Sequence, residues 1–89
     1  MPFPLGRLVA TPGALAALQD AQQSPLEFLT RHTRGDWGDL TPFDRQMNEQ
    51  ALVHGERLLS AYHLTTEVKI WIITEWDRSV TTILLPSEY

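Results

Sequence analysis

The chain has 89 residues, is 43% hydrophobic and 20% charged, and carries a formal net charge of −4. That length fits a single domain, 1–89, with a thin core, and the balance of apolar and charged residues argues against disorder. With no cysteine, disulfides, thiolate catalysis and Cys-based zinc sites are excluded, and 11 acidic against 7 basic residues argue against generic binding of nucleic-acid phosphates.

The first residues lack a basic start followed by an apolar run, and no stretch approaches the roughly 20 apolar residues of a membrane span. A cytoplasmic location without a secretory signal or a membrane partner is therefore expected. Leu5–Ala10 is a short apolar run and a candidate edge strand. Thr11-Pro12 then supplies an N-cap hydroxyl and a proline at the first helical position. Ala14, Leu15, Leu18 and Ala21 follow at helical spacing, so a helix is predicted over about 12–22. Ser24-Pro25-Leu26-Glu27 reads as a capping box and starts a second helix that runs to about Arg34, with Gly35 as its left-handed stop. His32 lies three residues after Leu29 and four after Phe28, which puts its imidazole on the apolar face.

Between Gly35 and Gly38, Trp37 is expected to close one end of the core. Thr41-Pro42 repeats the N-cap and proline signal for a third helix to about His54, with Phe43, Met47 and Ala51 on one face and Arg45, Asn48 and Leu52 on another. From Arg57 the apolar period becomes two: Arg57–Leu64, Val68–Trp76 and Ser79–Leu85 are three strands joined by short turns, as in an antiparallel meander. The predicted class is α+β: three helices, then a three-stranded antiparallel β-meander, with Leu5–Ala10 a candidate fourth, edge strand. The middle strand is apolar on both faces, so Trp71 and Ile73 are candidates for a surface that meets a partner or a second copy of the chain.

Several runs are familiar: TPGALAAL (11–18), RHxxGDWGDL (31–40) with a following Asp and Asn, GxRLLSAY (55–62) and WIITExDRSVTTILLPSEY (71–89). They resemble a family of small proteins carried on bacterial plasmids and other mobile elements, the "plasmid-related" proteins. The likeness spans about Val9 to Tyr89. Relatives more often have a small residue at the position of Trp76 and a glycine within the turn at 65–67. The resemblance implies bacterial origin, a cytoplasmic location and a role tied to mobile DNA or its conflict with the host. It brings no assigned activity.

The polar stretch Arg31–Leu40 concentrates side chains capable of chemistry. A metal-independent ribonuclease needs a base for the ribose 2′-OH, an acid for the leaving oxygen and a cation for the phosphorane charge. His32 with His63 or Asp36 suits the first two roles and Arg31, Arg34 or Arg78 the third, with Arg45 and Asn48 facing the loop and Thr81, Thr82 or Tyr89 for phosphate oxygens. Helices followed by a small antiparallel sheet is also the layout of barnase-, RelE- and EndoU-like toxins, an analogy of fold alone. The structural alternative is a core-edge His32 hydrogen-bonded to a carboxylate and arginines paired with Asp36, Asp39 and Asp44. His32, His54 and His63 have no metal-ligand spacing, and no cofactor motif is present. The competing class is an accessory module that binds a protein or dimerises through the sheet, using the strand face of Trp71, Ile73 and Trp76 and the acidic surface, with Trp37 and Arg78; RNA is the partner on the nuclease reading.

Overall fold

Three Ser/Thr-Pro pairs set the three helices in the computed structural model, which describes residues 3–89. In α1 (Pro12–Ala21), α2 (Pro25–Thr33) and α3 (Pro42–His54) the residue before the proline is extended and its hydroxyl accepts a main-chain N–H of the first turn. These bonds are Ala14 N to Thr11 Oγ1 at 3.2 Å, Leu26 N to Ser24 Oγ at 3.1 Å, and Asp44 N to Thr41 Oγ1 at 3.1 Å. The reciprocal box expected at Ser24–Glu27 does not form, because the hydroxyl engages Leu26 and the Glu27 carboxylate accepts instead from Gln23 Nε2 at 3.4 Å. Gly55 ends α3 at φ +70°, and Gly35 follows α2 at φ +79°, both in the left-handed region that glycine occupies without steric cost.

Four strands follow the alternation of the sequence: β1 (Arg7–Ala10), β2 (Leu58–His63), β3 (Lys69–Thr74) and β4 (Val80–Leu84), with a 3₁₀ turn at Pro86–Glu88. The last three form the expected antiparallel meander. The N-terminal run is a strand as well, but it lies parallel to β4, which makes the sheet mixed, in the order β1-β4-β3-β2. The simple antiparallel picture is corrected at this point. A short, mainly apolar run fixes a strand and not its direction, and here three helices return the chain to the far edge before the meander begins.

Leu58, Ser60 and Tyr62 of β2, Ile70, Ile72 and Thr74 of β3, and Thr81 and Ile83 of β4 point to the helices, as the cross-strand register requires. Ala14 and Leu18 of α1 and Phe28 and Leu29 of α2 complete the main core against them. A second cluster joins Trp37, Ala51 and Leu58, with Phe3, Leu40 and Leu52 packed on it. Of the apolar α3 face named from the spacing only Ala51 is buried: Phe43 is 69% exposed and Met47 45%, while Asn48 of the other face is buried. The face carrying Arg45, Asn48 and Leu52 does lie by the loop, and the polar Asn48 makes a docking contact of the helix. On the opposite sheet face Ile73 is buried within the chain, and the Trp71 ring meets Tyr89 edge-on at 5.8 Å, so the 3₁₀ turn and the last residue lie over it. The Glu88 carboxylate accepts from the Thr11 hydroxyl at 2.5 Å and from Gly13 N at 3.1 Å, fastening that turn to the start of α1.

Candidate functional site

The loop after α2 behaves as a short fifth strand. Gly38 forms a parallel bridge with Ala61, in which Ala61 N donates to Trp37 O at 3.0 Å and Asp39 N to Ala61 O at 2.7 Å. A Cβ at Gly38 would lie 2.0 Å from Ala61 O, so only glycine permits this approach, and its φ of +78° says the same. Trp37 is thereby pressed inward, buried, with Nε1 donating to Glu49 Oε2 at 2.9 Å. One residue pair further along β2, Asn48 bonds both main-chain groups of Leu59.

The structure divides the sequence candidates into two places. His32 is 0% exposed, with Nδ1 2.5 Å from Ser60 Oγ and Nε2 2.9 Å from Thr74 Oγ1. Thr74 Oγ1 in turn lies 2.8 Å from Thr81 Oγ1, and Thr81 donates to Leu5 O at 2.7 Å. That last bond orients the chain. If Thr81 gives its proton to a carbonyl, Thr74 must donate to Thr81, His32 Nε2–H to Thr74, and the Ser60 hydroxyl to Nδ1. The arrangement suits a neutral imidazole. Phe3 and Trp37 pack edge-on against the ring at 5.2 and 5.7 Å. Burial, with a smaller push from the Arg78 guanidinium, lowers the pKa of His32 to about 4.

Arg31, Asp36 and Arg45 lie instead around a surface depression of about 430 Å³, together with Asp39, Tyr62 and His63. Arg31 grips Asp36 through two bonds, at 2.7 and 3.3 Å, and its guanidinium stacks 4.5 Å above the Tyr62 ring. The mutual bond raises the pKa of Arg31 and lowers that of Asp36. Tyr62 donates to Asp36 O at 2.6 Å, and burial pushes its phenol up to about 12. Arg45 braces the loop by donating to Leu40 O at 3.1 Å and Gly38 O at 2.8 Å. His63 Nδ1 and Lys69 Nζ both approach Asp39 Oδ2, at 3.7 and 3.8 Å.

Asn48 belongs to neither place, since its amide is engaged by Leu59. Arg78 does not line the depression; its guanidinium lies 5.8 Å from the Phe3 ring, which packs on His32, and it binds the carbonyls of Glu56 at 2.6 Å, Ala51 and Glu75 at 3.1 Å, and Trp76 at 3.3 Å. Among the described residues no three His, Asp or Glu side chains converge as metal ligands. The carboxylate expected to hold His32 is replaced by two hydroxyls, those of Ser60 and Thr74, which the sequence reading did not name. The available signal was a hydroxyl interrupting the apolar face of each strand. Comparison with protein-family models, with curated proteins and with solved structures gives no match.

Proposed function

We propose that this chain is a small cytoplasmic accessory protein of a plasmid or other mobile element that works by binding another protein. The observation that carries this reading is the position of His32. Its imidazole is sealed from solvent with both nitrogens engaged, so the residue best suited by type to acid–base chemistry serves the core. Arg45 and Arg78 are likewise turned to main-chain carbonyls of the protein itself. The resemblance to plasmid-borne proteins supports the cellular setting. The test is affinity capture by the tagged chain from plasmid-bearing bacteria, followed by direct binding measurements with each purified candidate. Absence of any partner of micromolar or tighter affinity would count decisively against the reading.

One observation favours the alternative, a metal-independent ribonuclease. The depression gathers Arg31, Asp36 and Arg45 beside an exposed His63 that Asp39 can orient. On this alternative His63 replaces His32 as the base, and Arg31 or Arg45 would meet the phosphate. RNA cleavage and growth inhibition by the wild type, both abolished in His63→Ala, would establish it over the binding module.

A further inference from the structure

The two edges of the sheet are finished differently. Along β2 every outward main-chain group of Leu59 and Ala61 is bonded, by the Asn48 amide and by the Trp37–Asp39 segment. Along β1, Arg7 N donates to Ser79 O and Thr11 N to Ile83 O, so odd-numbered residues face β4 and the N–H and C=O of Leu8 and Ala10 point away from the sheet. Among the described residues nothing bonds them. Leu8 is nevertheless 55% exposed and Val9 40%, and the edge carries no proline or inward charge of the kind that blunts such strands.

We propose that β1 is a docking edge for an extended peptide segment of a partner protein, which adds to the sheet as a fifth full strand. The inference rests on the protein-binding reading and assigns its surface. The free donors and acceptors require an extended occupant. Leu8 and Ala10 share a face with Thr81 and Ile83, and with Pro25 and Leu29 they line an apolar hollow of about 190 Å³ at the strand's flank. The residue set beside Leu8 therefore enters that hollow and is a single large aliphatic or aromatic side chain. Arg7 is exposed and stands in no ion pair among the described residues, so the adjacent position of the peptide carries Asp or Glu. A second copy of the chain fits less well. A β1–β1 pairing offers four residues toward the roughly 1,200 Å² of a stable dimer, and it brings two Arg7 side chains with no carboxylate.

The experiment pans the full chain against a display library of random linear peptides. Enriched sequences are expected to pair a large apolar residue with a neighbouring carboxylate. A synthetic version should protect the Leu8 and Ala10 amides from hydrogen exchange. N-methylation of its amides at alternate positions should weaken binding about tenfold or more in one register and leave the other unaffected. Leu8→Pro, which removes an outward N–H at a position that an edge strand tolerates, should lose binding to a similar extent at an unchanged urea midpoint. The peptide chemistry reads the same bond should that variant misfold. Failure to enrich, equal effects of the two methylation registers, or a concentration-dependent dimer abolished by Leu8→Pro would each overturn the proposal. A natural partner captured equally by the wild type and a folded Leu8→Pro would leave the protein-binding reading intact and remove this edge from it.

Discussion

Asn48 pairs with Leu59 as a neighbouring strand would: Nδ2 donates to the Leu59 carbonyl at 2.6 Å and Oδ1 accepts its N–H at 3.1 Å. Replacing Asn48 with alanine strands both groups at a site that is 5% exposed. A loss of about 2–3 kcal/mol is expected in urea unfolding, since each unmet buried polar group costs roughly 1–3 kcal/mol. Asn48→Asp keeps the acceptor but sets a carboxylate against the carbonyl, and at neutral pH it should be no better. Variants within about 0.5 kcal/mol of the wild type would show that the side-chain pairing does not hold this edge.

Gly38 and Gly55 share nearly the same backbone conformation, φ +78° and +70°, in different surroundings. A Cβ at Gly55 meets nothing within 4 Å, whereas one at Gly38 collides with Ala61 O. Gly55→Ala therefore bears only the left-handed penalty of about 1–2 kcal/mol. Gly38→Ala must also break the bridge to β2, and a loss of at least about 3 kcal/mol is expected. Thermal melts of the pair decide the matter; equal losses would mean that backbone conformation, and not the close approach, sets the requirement.

The depressed pKa of His32 makes stability depend on pH. The unfolded imidazole takes a proton as pH falls through about 6.5, while the folded one resists until about 4. Folding is therefore unaffected by this residue above that window and loses up to about 3 kcal/mol across it, reaching a plateau below the folded pKa. His32→Gln, which cannot titrate, should be less stable at neutral pH but lack this slope between pH 6.5 and 4.5. A wild-type profile flat over that interval would mean that the imidazole reaches solvent.

Arg78 reaches four carbonyls from a backbone position at φ +61° and ties the end of α3 to the β3–β4 turn. Lysine carries its donors on one atom and cannot span that spread. Arg78→Lys should lower Tm by about 5–15 °C, close to the effect of Arg78→Ala, for a domain in which 1 kcal/mol shifts Tm by roughly 4–8 °C. Either change also removes or alters a cation that depresses the His32 pKa, so in Arg78→Ala the imidazole should titrate higher by NMR. An unchanged titration would place Arg78 outside the field of His32.

Helix starts were legible because each is written locally, as a hydroxyl residue followed by proline. The burial of His32 was legible from its spacing to Phe28 and Leu29. Its partners were not: Ser60 and Thr74 lie 28 and 42 residues away, and only the fold selects them. The Arg31–Asp36 pair was foreseeable from proximity in sequence, but the depression also needs Tyr62 and His63 from β2, brought beside the loop by one glycine bridge. The outward turn of Phe43 and Met47 escaped periodicity because the contact that docks α3 is made by an amide.

The parallel pairing of β1 with β4 bears on the order of assembly. During synthesis β1 must wait, unpaired, until residues 80–84 exist, because the neighbour on its inner side is β4. Helices and the β2–β3 hairpin can form earlier from local contacts, but the hydroxyl relay beneath His32 ends at Thr81 and Leu5 and closes only in that final step. Pairing β1 with β4 is therefore the event that completes the core, and a nascent chain stalled before β4 would leave β1 without its neighbour.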